Sequence, residues 1–169
     1  MYSLWNTLGS GDGDHLGPKE ATMSTLHLRT ATLEFTLGDG PAIRDITPDL
    51  QNLVRIIQPW EGVVTVNAVG STASVTTIEY EQGAIEDLKR AINDLAPPDG
   101  IYQHNLAWQD GNGHSHVQAA LLGPSVTLPL RKGRLSLGTW QQVVLINHDT
   151  RKRTRKVELT FIYMTVPGE

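Results

Sequence analysis

Hydrophobic and polar positions alternate with a period of two over much of the chain, which is typical of half-buried β-strands. In the first such stretch, "STLHLRTATLEFTL", Leu26 and Leu28 share one parity and Leu33 and Leu37 share the other. The change of parity predicts two short strands or one strand with a bulge. Further on, "GVVTVNAVG" and "ASVTTIEY" are rich in β-branched residues, and the short connection between them predicts two more strands with a tight turn.

Two segments have apolar residues at helical spacing instead. In "DITPDLQNLVRIIQ" we expect Thr47 as the N-cap and Pro48 at the first helical position, where a missing N–H costs nothing. After Gly83 a second apolar stripe recurs every three or four residues and ends before "APPDG".

The last third of the chain again predicts strands: "SVTLPL", a return at "RKG", "RLSLGTWQQVVLI", and a final strand after "NHDTRKRTRK". We expect Trp140 to be buried in a strand, and Gln141 and Gln142 hint at hydrogen bonds across a subunit boundary. Strands and helices do not alternate regularly, so the predicted class is α+β with largely antiparallel sheets and about three helices. We expect a flexible lead-in over residues 1–22 and one domain over residues 23–169.

Composition narrows the choice of function. The chain has 169 residues, a formal net charge of −4 and no cysteine, so any metal must be held by His, Asp, Glu or carbonyl oxygen. No apolar run approaches the roughly 20 residues of a membrane span, and a cytoplasmic protein is expected. The basic run "RKRTRK" fits either a solvated turn or a phosphate-binding surface, but the acidic balance makes nucleic acid an unlikely partner.

The segment "DGNGHSHVQAALLGPS" holds the most polar chemistry. Ser115 and Gln118 have capping-box spacing, so a short helix is predicted to begin at His116 and to end at Gly123. His114 and His116 would then diverge, and His116 would face an anion such as phosphate at the positive end of the helix. The alternative interpretation is ordinary turn chemistry with surface histidines.

A metal site is a further hypothesis. A divalent ion, zinc or magnesium, would suit His104 and His116 with one position open for water. The carboxylate of the set would come from Asp110, Glu79 or Glu81. Glu79 and Glu81 share a face if "TTIEYE" is a strand, which fits either an acid–base pair or a solvated surface.

The stretch "AALLGPSVTLPLRKGRLSLGTWQQVVL" resembles the C-terminal signature of the YjbQ-like family, often labelled secondary thiamine-phosphate synthase. The resemblance extends to "GSTASVTTIEYEQGAIEDL" and "DTRKRTRKVELTF", and covers roughly residues 24–169. It implies a compact α+β subunit that forms a homotrimer with clefts near the subunit boundaries. It also implies a weak activity that joins a pyrimidine diphosphate to a thiazole phosphate with loss of pyrophosphate, while the primary role of the family is unsettled.

The family's polar cluster falls on Glu79, His104, Asn112 and His116, with Ser71 and Thr72 in the preceding loop. Many members have histidine where this chain has Gly70, so one imidazole of a three-histidine site is missing, and His114 is a candidate to compensate. We therefore expect His116, His104 and Glu79 as catalytic residues and His104, His116 and Asp110 as metal ligands. The residues expected to contact a phosphorylated small molecule are Ser71, Thr72, Asn112, His114 and Ser115. The alternative is a trimeric protein that binds a metal or phosphate ligand without turnover.

Overall fold

The computed structural model of the protein describes residues 25–165 and confirms the predicted α+β class. The predicted lead-in, residues 1–22, lies outside the described residues. The elements in chain order are β1 (Leu26–Leu37), β2 (Ala42–Asp45), α1 (Thr47–Ile57), β3 (Glu61–Val69), β4 (Ala73–Ile78), α2 (Gln82–Leu95), α3 (Gln103–Trp108), α4 (Gly113–Leu122), β5 (Ser125–Arg131), β6 (Arg134–Leu135), β7 (Gln142–Asn147) and β8 (Arg153–Met164).

All strand pairs are antiparallel and form two sheets, in the orders β1-β8-β3-β5-β6 and β2-β7-β4. The main core lies between the sheets, and Val143 and Leu145 of β7 belong to it together with Phe161 of β8. The alternate β7 residues Val144 and Ile146 pack on the other side against α2. Because β7 is covered on both faces, its sequence is a continuous apolar run.

The first strand is a single strand without a bulge. β1 pairs with β8 in unbroken register from Leu26 opposite Met164 to Leu37 opposite Arg153. The parity change has another cause: Leu26 and Leu28 lie on the outer face, 69% and 66% exposed, whereas Leu37 faces the core.

Helix α1 begins at Thr47, but Thr47 is not its N-cap. The Thr47 N–H donates to Asp45 Oδ1 at 2.8 Å, and the Thr47 hydroxyl accepts from the N–H of Val143 at 2.8 Å. The threonine therefore joins the start of the helix to β7. In α2 the cap is Glu81, whose carboxylate accepts from the N–H groups of Gly83 and Ala84.

The prediction of a buried Trp140 is wrong, because Trp140 lies in the turn before β7 and is 70% exposed. The two glutamines after it bond within the chain. Gln141 Nε2 donates to Thr77 Oγ1 at 3.0 Å, and Gln142 Oε1 accepts from the N–H of Tyr80 at 2.9 Å. Within residues 25–165, no helix is both long and apolar enough to cross a membrane.

Candidate functional site

Helix α4 begins at Gly113, with Asn112 as its N-cap, so the predicted capping box at Ser115 is wrong. The Gly113 N–H donates to Asn105 Oδ1 of α3 at 2.8 Å, and the Ser115 N–H donates to the Asn112 carbonyl at 2.9 Å. A tertiary contact from α3 thus satisfies the first amide of the helix. His116 occupies the fourth helical position, and any anion binding there must rely on side chains more than on free amides.

The two histidines of "HSH" diverge, as the helical geometry predicts. His114 is turned inward and only 5% exposed, whereas the surface of His116 is half-buried. Burial lowers the pKa of His114, which favours the neutral imidazole, although the charge of Asp149 opposes this effect. Its Nδ1 is buried without a hydrogen-bond partner within residues 25–165, and Ser115 is fully buried beside it. The positions of His114 and Ser115 therefore give no support to their predicted contact with a ligand.

His104 and His116 lie next to each other across the α3–α4 junction, with ring centroids 4.5 Å apart, and are called the histidine pair below. His104 Nε2 is 3.3 Å from Asp110 Oδ2. The side-chain amide of Asn112 forms hydrogen bonds when its nitrogen faces Asp110. That nitrogen then lies 3.1 Å from Asp110 Oδ2. Burial alone would raise the pKa of Asp110, but hydrogen bonds from the Asn112 backbone and from His104 bring it below its usual value. The ionised Asp110 thereby orients the His104 ring.

His116 also lines a cavity of about 300 Å³. The turn between β3 and β4 forms the opposite wall with Gly70 and Ser71, and Pro124 closes one side. Gly70 has a φ of +138°, in the region that favours glycine. The position where the resemblance implies a third histidine therefore borders the same space as His116.

The predicted metal ligands do not form a three-ligand group. Across residues 25–165, no set of three or more His, Asp or Glu side chains is placed to hold a metal ion. His104 Nε2 already faces Asp110 Oδ2, and a nitrogen that donates to a carboxylate has no lone pair for a metal. Within residues 25–165 these side chains supply fewer than three ligands for zinc or magnesium, and the metal stays a prediction.

Glu79 lies at the other end of β4 from the histidine pair. The six residues of β4 separate it from Thr72, which is roughly 23 Å of extended chain. Glu79 and Glu81 instead line a separate cavity of about 310 Å³ beside Trp140. Since Glu81 caps α2, an acid–base pair of these two residues has no structural basis, and within one chain Glu79 does not reach His116.

A buried polar cluster that the sequence did not predict lies where the chain passes between the sheets. Arg155 of β8 donates to the Thr72 carbonyl at 3.0 Å and to Asn147 Oδ1 at 2.9 Å. Asp149, only 3% exposed, pairs with Arg153 at 2.9 Å and accepts from the Thr72 hydroxyl at 3.3 Å. Thr72 is thus a buried anchor of the turn that carries Ser71. Four of the six residues of the basic run belong to β8, so the prediction of a solvated turn holds for only part of it.

A second buried chain of hydrogen bonds links β4, β7 and α4 through His148, which is 1% exposed. His148 Nδ1 is 3.2 Å from Gln118 Oε1, and Nε2 is 3.0 Å from Ser74 Oγ. Gln118 Nε2 donates to the carbonyl of Ala96 at 2.9 Å, so Gln118 Oε1 must accept and His148 Nδ1 must carry the proton. Burial first, and then the charge of Arg155, lower the pKa of His148 to about 4.

Comparisons with known proteins agree with this architecture. The family described as UPF0047 protein YjbQ-like matches residues 31–164. A UPF0047 protein of Archaeoglobus fulgidus is 33% identical over 127 residues, which cover 74% of this chain and 96% of that protein. UPF0047 protein YjbQ of Salmonella typhimurium is 31% identical over 129 residues, or 75% of this chain and 93% of that one. A crystal structure from Sulfolobus solfataricus P2, described as a protein of unknown function, has a TM-score of 0.73 and 27% identity, covering 81% of this chain and 99% of the other.

Proposed function

The chain belongs to the YjbQ-like family of UPF0047 proteins, and on this premise we propose that it binds a phosphorylated small molecule at the histidine pair. In the catalytic form of the proposal it joins a pyrimidine diphosphate to a thiazole phosphate. The thiazole ring nitrogen supplies the electron pair for a new bond to the carbon that joins the pyrimidine to the diphosphate, as the bond from that carbon to the diphosphate oxygen breaks. The electron pair of the broken bond leaves with pyrophosphate.

The observation that supports this proposal most is the position of His116 between His104 and a cavity. One side of its ring lies 4.5 Å from the ring of His104, and the other borders the space lined by Ser71. A cavity of about 300 Å³ is at the lower end of the range for small-molecule sites. An imidazole and a hydroxyl that border one space can both donate hydrogen bonds to phosphate oxygens.

The residues have distinct tasks in such a reaction. The main task of the protein is to stabilise the negative charge that grows on the leaving oxygens. His116 would donate to those oxygens, with Ser71 as a second donor. His104, which Asp110 orients, would position the ring of His116, and the Asn112 amide fixes Asp110. The donors named here are all side chains.

Calorimetric titration of the full-length chain with pyrophosphate and with thiamine phosphate tests the site. His116→Ala should weaken binding by about tenfold or more, which is the loss of one charge-assisted hydrogen bond of about 1.5–3 kcal/mol. Val117→Ala, an exposed position on the same helix, is the matched control and should bind as the unmodified protein does. Full affinity in the His116→Ala variant would refute the site.

A binding protein without turnover is the second candidate. It is favoured by the position of Glu79, the expected acid, at the opposite end of β4 from the histidine pair. Release of pyrophosphate from the pyrimidine diphosphate in the presence of thiazole phosphate separates the two candidates. Release that disappears in His116→Ala supports the enzyme, and ligand binding without release supports the binding protein.

A homotrimer is also part of the proposal. Large apolar side chains are exposed on and beside α3 and α4, including Ile101 at 91%, Trp108 at 73% and Leu121 at 60%. Exposed apolar surface of this kind is typical of protein–protein contacts. Light scattering after size-exclusion chromatography should give three times the mass of one chain, and a monomeric mass would contradict this part.

A further inference from the structure

A second cavity region lies far from the histidine pair, at the C-terminal end of α1 and the turn between β5 and β6. It consists of a cavity of about 630 Å³ and an adjoining one of about 440 Å³, which share Val54, Arg55 and Gly133. The β5 strand begins beside α4 and ends at this turn, so about seven residues, or roughly 20 Å, separate it from the histidine pair. We refer to this region as the cationic cavity.

Three positive side chains line the cationic cavity: Arg55, Lys132 and Arg134. None of them forms an ion pair with a carboxylate in residues 25–165, where the pairs involve other side chains. Arg55 donates to the neutral Asn52 Oδ1 at 3.2 Å. The nearby carboxylate of Glu61 is paired with Arg131 at 2.9 Å. Three positive charges that have no ion-pair partner among the described residues lie on one concave surface, in a chain of net charge −4, and attract an anion.

The turn that carries Lys132 supports a role for its charge. Lys132 and Gly133 have φ values of 49° and 75°, which is the geometry of a two-residue hairpin turn with both central residues left-handed. Asn, Asp or Gly is preferred at such a position, and another residue there costs on the order of 1 kcal/mol. The Gly133 N–H donates to the Trp60 carbonyl at 3.2 Å and thereby fixes the turn against the cavity.

Apolar and aromatic side chains form part of the remaining lining, beside polar ones such as Gln51 and Gln58. Leu135 lines the larger cavity, and Ile57 and Trp60 line the smaller one, where Trp60 is 36% exposed. Apolar walls with a few convergent polar groups are typical of small-molecule sites, and an indole surface is a platform on which a planar ring can stack.

We propose that the cationic cavity binds a phosphate monoester that carries a planar ring, such as a nucleoside monophosphate. The guanidinium groups of Arg55 and Arg134 and the ammonium group of Lys132 hold the phosphate, and Trp60 contacts the ring. Arginine suits this task because its planar fork donates two parallel hydrogen bonds to phosphate oxygens. The site is separate from the histidine pair and does not depend on the proposed function.

Calorimetric titration of the full chain with adenosine monophosphate tests the proposal, with inorganic phosphate and adenosine as separate arms. Adenosine monophosphate should bind about tenfold or more tightly than either fragment, because each fragment fills half of the site. The double variant Arg55→Gln/Arg134→Gln should weaken binding by about tenfold or more. The matched control is Arg29→Gln/Arg151→Gln, which removes the same charge from exposed positions and should retain affinity.

Three results would overturn the proposal. One is the absence of binding of adenosine monophosphate at millimolar concentration. The second is an equal loss of affinity in the control double variant, which would indicate attraction by net charge. The third is an equal loss in His116→Ala, which would assign the binding to the histidine pair. Trp60→Ala should weaken the binding of adenosine monophosphate more than the binding of inorganic phosphate. An equal effect on both ligands would refute the contact between Trp60 and the ring.

Discussion

The imidazole rings of His104 and His116 lie 4.5 Å apart, centroid to centroid, although a turn and a helix start separate them in the chain. Their proximity depends on α4 beginning at Gly113, whose amide is bound by Asn105 of α3. It depends equally on the buried side of α4, where Gln118 and His148 connect the helix to the sheet. The geometry of the histidine pair therefore depends on these buried contacts. A testable prediction follows from each contact.

Stability should fall as the pH is lowered from about 6.5 to about 4. The pKa of His148 is about 4 in the folded protein and about 6.5 in the unfolded chain, so only the unfolded chain takes up this proton in that range. The loss should approach about 3 kcal/mol, since each unit of pKa corresponds to 1.36 kcal/mol. Urea unfolding at a series of pH values measures it.

The control for this prediction is His148→Gln. This variant should lose part of the pH dependence of the free energy of unfolding. His114 titrates in the same direction, because burial lowers its pKa, so some dependence should remain. Asp149 does not contribute in this window. Burial raises the pKa of Asp149, but the hydrogen bond and charge of Arg153 outweigh this effect and bring the pKa below its usual value. The stability that the ionised Asp149 contributes is therefore lost only below about pH 4. A variant with the full slope of the unmodified protein would contradict the role of His148.

Replacement of Gln118 should destabilise the protein by about 2–3 kcal/mol. Gln118→Ala leaves the Ala96 carbonyl and His148 Nδ1 buried without partners, and each unsatisfied group costs about 1–3 kcal/mol. Val117→Ala on the exposed side of the same helix should cost less than about 1 kcal/mol. Chemical denaturation of the two variants compares them, and similar losses would show that the buried amide is unimportant.

Removal of Arg155 should cost about 3–5 kcal/mol, as expected when one partner of a buried polar cluster is lost. Arg155→Ala would remove the hydrogen bonds to the Thr72 carbonyl and to Asn147 Oδ1, and it would remove the nearby positive charge from Asp149, 3.8 Å away. Arg151→Ala, an exposed position in the preceding turn, is the control and should change stability little. Thermal unfolding followed by circular dichroism measures both variants. Equal melting temperatures of the two variants would contradict the stabilising role of Arg155.

Replacement of Glu79 and replacement of Glu81 should have different effects on stability, although the sequence predicted that the two residues share one face of a strand. Glu81→Ala removes the cap of α2 and should cost about 1 kcal/mol. Glu79→Ala should leave stability nearly unchanged and, because it lies at the other end of β4 from Ser71, should leave pyrophosphate affinity unchanged within one chain. Denaturation and calorimetry on both variants test this. A loss of affinity in Glu79→Ala would place Glu79 at the histidine pair, through a neighbouring subunit.

The fold class was predictable because period-two patterning and turn residues are local signals. The start of α4 was not, because Ser115 and Gln118 have the spacing of a capping box by coincidence while Asn105, from another helix, binds the first amide. The parity change near Leu28 was also misleading, since it marks an exposed apolar end of a continuous strand.

The buried cluster around Asn147 and Asp149 was missed for a similar reason. Polar residues that follow a strand are typical of an exposed loop. Their burial here depends on Arg155, which lies on a strand of the neighbouring sheet. The histidine pair was predicted as a pair, but its relation to the cavity lined by Ser71 follows only from the packing of α4 on β4.

The most direct test of the central claim is a crystal structure of the protein soaked with pyrophosphate. We expect pyrophosphate in the cavity between His116 and Ser71, with an oxygen within about 3 Å of an imidazole nitrogen of His116. Pyrophosphate bound only elsewhere, for example against Arg55 and Arg134, with the histidine pair free, would contradict it.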